Sequence, residues 1–379
     1  MSDEQLKLAA TIFSRLPDHR LNRGLNHSLV NIVVMALCAV MSGADSFPEI
    51  EAFVHSKRAW FLRFLTFRRV PDHETFRRVL AQLDPQAFQS SALDWVKVAI
   101  GGQMEGDIVS IDGKRLRGTS AQECQGIHMV NVWSARHGLC LSAQAVVGKH
   151  NEISTLPSVL DTLKYLELAG CIVTIDAMGT QRAVATKLLN LHAQYVLALK
   201  GNQVTLFEDV QEMFDDASRR LFADTSLLGV STWDDRRRDE RRSCWVLPAS
   251  PDLDIHEWPG LQSVAMIESS RLVKGKRVYQ QRFFLCSFPP DPLTALSAVR
   301  THWEVENKLH WVLDVAFAED ANSTVVDHGA ENLAVLRRWA LNLMRQEGTS
   351  GAVNKNRKRA GWDDLYRERL LQHLLPPPT

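Results

Sequence analysis

The sequence predicts an α+β protein: a helical front module, then a mixed sheet core that a strand-rich insertion interrupts. Three observations carry this. Apolar residues recur at helical spacing up to about residue 104 and then give way to short β-branched runs. Two of those runs, Ile108-Val109-Ser110-Ile111 and Ile172-Val173-Thr174-Ile175, end directly on an aspartate, Asp112 and Asp176. The 130 positions from Asp176 to Glu306 are far more than one strand and one helix need, so extra chain is inserted between them.

Residues 1–104 read as helices because Leu29, Val33 and Leu37, then Trp60 and Phe64, then Phe76, Val79, Leu80 and Leu83 fall on single helical faces. Asp72, following Pro71, is the predicted cap of the third of these. The apolar run 29–41 is too short to span a bilayer and reads as a buried helix, so no membrane partner is expected. Strands are predicted at 108–112, 129–134 and 141–147, forming an antiparallel meander. A helix over 156–168 leads into the strand that ends at Asp176, followed by a helix over 180–191 and a strand over 195–199. Three strands, helix, strand, helix, strand is the order of a ribonuclease-H-like core.

That core is assigned to 105–201 and 291–346, the second part being helices over 293–317 and 330–344. Residues 202–290 form the β-rich insertion domain, with strands at 244–247, 263–268 and 283–286. The remaining 347–379, with Lys355, Arg357, Lys358 and Arg359, reads as a basic, solvated tail followed by a short helix.

Composition narrows the function classes. Lysines plus arginines equal aspartates plus glutamates at 44 each, so a nucleic-acid surface must come from local segregation of charge. Six cysteines without a CxxC or Cys/His spacing argue against a zinc site and for reduced thiols in a cytoplasm. The opening Ser2-Asp3-Glu4-Gln5 lacks the basic-then-apolar pattern of a secretory signal.

The two aspartates carry the chemistry. A carboxylate at the end of a buried strand is costly unless a cation compensates it, and two together are the usual seat of a divalent metal. With a third carboxylate, such a site holds two Mg²⁺ (or Mn²⁺) about 3.5–4 Å apart and drives phosphoryl transfer. The segment from His302 to Trp311 supplies the candidate helix, and Glu306 is the preferred ligand. At about 100° per residue, Glu304 points about 200° away from Glu306, and Asp314 lies about 12 Å further along the axis. Bland alternatives stand beside this reading: a strand-end aspartate is often a turn cap, and His310 is as well suited to ordering a structure as to touching DNA. The Arg236–Arg242 cluster, which Asp239 and Glu240 partly neutralise, is either a solvated loop or a phosphate grip.

Ile111-Asp112-Gly113-Lys114, Ile175-Asp176-Ala177 and the segment 302–315 resemble the three motifs of the DDE insertion-sequence transposases, nearest the bacterial H-repeat-associated (ISAs) group. Pro71-Asp72-His73-Glu74-Thr75-Phe76-Arg77-Arg78-Val79 resembles that group's N-terminal associated domain, and the similarity covers nearly the whole chain. The resemblance implies DNA cleavage and joining at the ends of an insertion sequence, with Asp112, Asp176 and Glu306 as catalytic metal ligands. It implies double-stranded DNA as partner (transposon ends and target), a homodimer in the DNA complex, and a bacterial cytoplasmic, nucleoid-associated location. Lys114, Arg238, Arg242, His302, Lys308 and His310 are the expected DNA contacts. The broader superfamily's Tyr, Arg and Lys around the glutamate are replaced by Val299, His302 and Leu313. In the insertion, Arg238, Glu240 and Arg242 match the group's pattern and the two positions before Arg238 do not. Two alternatives remain open at this level: a metal-dependent nuclease that cuts without strand transfer, and an inactive DNA-binding remnant.

Overall fold

The computed structural model describes residues 1–18, 20, 26–119, 126–146, 152–219, 230–235 and 240–375, with the backbone alone for 152–155 and 230–235. The β-branched runs form the centre of a sheet whose strands are β1 (Ile108–Arg115), β2 (His128–Ser134), β3 (Leu139–Val146), β4 (Ile172–Ile175), β5 (Gln194–Leu199), β6 (Val230–Asp235), β7 (Glu240–Pro248), β8 (Ser263–Val273) and β9 (Lys276–Cys286). Their spatial order is β3-β2-β1-β4-β5-β9-β8-β7-β6. The first three strands are the antiparallel meander, and β4 and β5 run parallel to β1. Helices Glu152–Leu163 and Arg182–Asn190 precede β4 and β5 respectively. This is the ribonuclease-H-like core that the order of elements predicts.

Residues 202–290 depart from the expectation of a separate insertion domain. Strand β9 pairs antiparallel with β5, from Val196↔Cys286 to Leu199↔Phe283, so the inserted strands extend the core sheet itself. Strands β8 and β9 are also longer than their apolar stretches, running on through polar residues to Val273 and from Lys276.

The helical front module shares its interior with the rest of the chain. Helix Leu29–Met41 is apolar apart from Asn31, whose amide donates to the Thr66 carbonyl at 2.9 Å, and every residue except Val30 is buried. Its neighbour, helix Gly329–Glu347, is buried from Gly329 to Met344 except at Glu331 and is tied on both sides. Towards the sheet, the Asn342 amide donates to the Cys140 carbonyl (2.7 Å) and accepts from the Cys140 N–H (2.9 Å). Towards the front module, Asn332 donates to the Leu80 and Leu83 carbonyls, both at 2.8 Å, where helix His73–Gln82 ends and its last carbonyls lack helical partners. Trp339 fills the space between, with Phe13 and Phe88 rings at 4.9 and 5.7 Å. Asp72 caps helix His73–Gln82 as expected, accepting from the Thr75 N–H at 2.7 Å.

Residues 347–375 are not the solvated tail that their charge predicts, although a short helix is present as expected. Helices Val353–Trp362 and Asp364–Gln372 pack on the front module, and although Lys355 and Lys358 are exposed, Arg357 is only 2% exposed. Its guanidinium donates to the carbonyls of Val40 (2.7 Å), Ala44 (3.2 Å) and Ala316 and pairs with Asp45 (2.9 Å). Val40 and Ala316 lie in the last turns of their helices, where orphan carbonyls and the negative dipole end attract a cation. Charge density alone gives no hint of such partners.

Arg357→Ala is expected to lower the unfolding free energy by about 3–5 kcal/mol, because it strands Asp45 and several carbonyls together. Urea unfolding followed by circular dichroism measures it; a loss below about 1 kcal/mol would put Arg357 among ordinary surface positions.

Candidate active site

Each aspartate is delivered by backbone pairing. In the parallel β1–β4 ladder Ile111 stands opposite Ile175, so Asp112 and Asp176 are the next residues of adjacent strands. They line one small cleft together with Gly113, Met178 and Gly179. Asp112 is partly buried and accepts from the Gly113 N–H at 2.9 Å. Asp176 caps the short turn Ala177–Gly179, accepting from the Gly179 N–H at 3.3 Å. Gly179 has to be glycine here: a Cβ would press on Ile175 and come within 2.7 Å of Leu156 Cδ1, displacing the end of β4. Capping and cleft-lining thus coexist in Asp176.

The segment carrying the third carboxylate is not one helix. An α-helix, Pro292–His302, passes into a π-helical turn, Val305–His310, and then into the α-helix Trp311–Phe317. Such π-turns inside helices occur often at functional sites. Histidines anchor both ends of the crossing. Nδ1 of His302 lies 2.9 Å from the Thr174 hydroxyl on β4, and that hydroxyl donates to Ser110 on β1 at 3.1 Å. His310 Nδ1 lies 3.6 Å from Asp112, while its Nε2 faces the Asn131 amide at 3.2 Å. Glu306 sits between these anchors, exposed, and Glu304 is occupied by an ion pair with Lys308 at 2.7 Å. Among the described residues, no three His, Cys, Asp or Glu side chains are grouped closely enough to hold a metal ion. The structure therefore brings Asp112 and Asp176 together and leaves Glu306 on the flanking turn.

Several expected DNA contacts are turned inward. Lys114 is 6% exposed, and its ammonium is held by Asp314 (2.7 Å) and Asp320 (2.9 Å), with Glu319 at 3.8 Å. Strand alternation places it on the same face as Asp112, against the helical layer rather than solvent. Asp314 is likewise taken up by Lys114, and burial pushes its carboxyl above the usual range. Burial lowers the His302 imidazole to about 4, against the pull of Asp176. Burial, reinforced by Arg338 and Lys114, lowers His310 to about 3. Both rings are neutral near pH 7, so neither offers phosphate a positive charge. Lys308 remains at the surface; Arg242 pairs with Glu240 at 2.7 Å; Arg238 lies outside the described residues.

Sequence reasoning misses the support behind Asp112. Asn131 is directly opposite Asp112 on β2. Its amide faces His310, and its oxygen accepts from Arg338 Nε at 2.6 Å. Arg338 in turn is paired with Glu319 at 2.7 Å, beside Lys114. This chain fixes the His310 ring, whose Nδ1 stands 3.6 Å from the Asp112 carboxylate. The one sequence signal is a polar Asn inside the apolar run Met129-Val130-Asn131-Val132-Trp133.

Comparison with known proteins bears on this geometry. The family model described as "Transposase DDE domain" matches residues 103–343, and the model described as "DDE_Tnp_1-associated" matches residues 10–96. The chain is 32% identical over 94% of its length to the Escherichia coli O157:H7 protein named "Putative transposase YncI", covering 93% of that protein. It is 28% identical over 96% of its length to the "H repeat-associated putative transposase YhhI" of Escherichia coli strain K12, covering 97% of it. Among the described residues no helix is long and apolar enough to cross a membrane.

Lys114→Met is expected to destabilise the fold most at neutral pH, since it leaves Asp314, Glu319 and Asp320 crowded without their ammonium. Against the burial that would raise it, Lys114 holds the Asp320 carboxyl below its usual range, a contribution present at neutral pH and lost as pH falls, so the deficit relative to wild type should shrink on acidification. Paired urea titrations at neutral and mildly acidic pH decide this; a pH-independent deficit would mean that the ammonium does not neutralise the cluster.

Proposed function

The chain belongs to the DDE-domain transposase family, in its H-repeat-associated group, and on that premise we propose that it cleaves and joins double-stranded DNA at the ends of its own mobile element. The observation that carries this is the Ile111↔Ile175 register, which sets two aspartates side by side at the mouth of one cleft. Glu306 is the proposed third carboxylate, supported by its place between His302 and His310, both of which touch the aspartate-bearing strands.

The donor chemistry suits a hard divalent cation. Three carboxylates offer oxygen ligands of the kind Mg²⁺ and Mn²⁺ prefer, while His302 Nδ1 is engaged by the Thr174 hydroxyl and His310 Nε2 by the Asn131 amide. When bound, such ions lower the pKa of a coordinated water and offset charge on the reacting phosphate. The protein's own part is positioning. Asp112 is held by the Gly113 N–H beside the ordered His310 ring, and Asp176 by the Ala177–Gly179 turn. The contact of His302 with Thr174 ties the crossing helix to β4, and Glu306, exposed on the turn that follows, is open to an approaching DNA backbone. Lys308 and Arg242 are the expected phosphate contacts that stay near the surface. Joining two ends in one reaction calls for two copies of the chain on DNA, and cytoplasmic, nucleoid-associated action follows from that substrate.

Asp112→Asn, Asp176→Asn and Glu306→Gln should each abolish Mg²⁺-dependent cleavage of a duplex carrying the element's end while leaving gel-shift binding largely intact, since each amide keeps shape and loses charge. Glu304→Gln should cleave at nearly the wild-type rate. Cleavage at the wild-type rate by any of the first three removes that residue from the site.

A further inference from the structure

We propose that Asn131 is a positioning residue for the candidate metal site: it directs a hydrogen-bond chain from Arg338 so that His310 turns a ring N–H, and not a lone pair, towards the Asp112 carboxylate. This role rests on the reading of the chain as a transposase whose Asp112 binds metal, and adds to it how that carboxylate is presented.

Asn131 stands where an apolar side chain would be expected. It lies on β2 within the run Met129–Trp133, directly opposite Asp112, and is fully buried. A buried amide has an acceptor oxygen and two N–H donors to satisfy. All three are met here. Oδ1 accepts from Arg338 Nε at 2.6 Å, while Nδ2 lies 3.1 Å from the Met129 carbonyl and 3.2 Å from His310 Nε2.

The two ends of this amide cannot be exchanged. Arg338 offers only donors and the Met129 carbonyl only accepts, so a flipped amide would set N–H against N–H and oxygen against oxygen. Arg338 is itself fixed, its Nη1 donating to Glu319 Oε1 at 2.7 Å and to the Ala334 carbonyl at 2.9 Å. With Nδ2 facing it, His310 Nε2 must accept. A neutral ring whose Nε2 accepts carries its proton on Nδ1. That N–H faces Asp112 Oδ2 at 3.6 Å, and the Gly113 N–H bonds Oδ1 at 2.9 Å. Each carboxylate oxygen thus faces one donor and keeps a lone pair for a cation. The opposite tautomer would aim a lone pair at the carboxylate and repel it. Imidazole free in water favours that opposite form, with the proton on Nε2, so Asn131 selects the less common one.

The test uses the full chain with isotope-labelled histidine. Heteronuclear NMR at neutral pH should find the wild-type His310 ring neutral with its proton on Nδ1, and Asn131→Leu should lose that preference. In Asn131→Leu the Mn²⁺ concentration that half-fills the site, followed by electron paramagnetic resonance of the free ion, should rise about 10–100-fold. Cleavage of the end duplex should fall by a similar factor, with gel-shift binding unchanged. His310→Asn, whose amide can place an N–H where Nδ1–H stands, should keep most of the Mn²⁺ affinity that His310→Leu loses. The wild-type spectrum and this pair of variants decide the matter even where Asn131→Leu does not fold. A wild-type ring protonated on Nε2, or on both nitrogens, would overturn the proposal. So would wild-type Mn²⁺ affinity in Asn131→Leu, or equal losses in the two His310 variants, while active wild-type protein would leave the transposase reading standing. Wild-type protein that neither binds Mn²⁺ nor cleaves the duplex would overturn that reading, and the role of Asn131 with it.

Discussion

Asp112 and Asp176 are 64 residues apart in sequence and become neighbours only because β1 and β4 lie parallel in a single register. That register is strongly specified. Val109 and Ile111 on β1, and Val173 and Ile175 on β4, are buried on one face, and Ser110 and Thr174 on the other bond each other, so a one-residue slip would push hydroxyls into the apolar layer and carry the aspartates to the wrong face. The rest of the site is arranged around this constraint. The crossing helix is hung from β4 by His302 and from Asp112 by His310, and the loop after β4 folds tightly enough to require Gly179.

Behind the carboxylates, a layer of buried polar residues joins the sheet to the helical module. Lys114, Glu319 and Arg338 are each almost fully buried, which is tolerable because each charge meets an opposite one. Arg338 belongs to the same helix whose Asn332 and Asn342 bond the front module and β3. The front module, the core sheet and the candidate site are therefore held by one element. Truncating that helix would remove support from all three, whereas the outer half of the β8–β9 pair, residues 271–281, is exposed and contributes little to the interior.

What can be read from the sequence follows the hydrophobic period. The runs ending at Asp112 and Asp176, the buried helix Leu29–Met41 and the cap at Asp72 are all legible because apolar spacing and cap chemistry are local signals. Strands β8 and β9 come out too short for the same reason: their outer halves bury neither face, so no alternation marks them. The helix expected to run unbroken over 293–317 contains a π-turn, which apolar spacing alone does not reveal. Lys114 and Arg357 read as surface cations because their partners are distant in sequence. The partners are Asp314 and Asp320 for the first, and the carbonyls of Val40 and Ala316 for the second. Composition shows a charge; only the fold shows what neutralises it.

On this reading, two strand-end aspartates and a glutamate on the crossing helix form one divalent-metal site. Anomalous diffraction from crystals of the full chain with duplex DNA and Mn²⁺ tests it most directly. The account predicts an anomalous peak within about 2.0–2.4 Å of carboxylate oxygens from both Asp112 and Asp176, with Glu306 coordinating manganese in the same cleft. Manganese bound away from the aspartate pair, or a pair that binds it while Glu306 stays turned to solvent, would contradict the account.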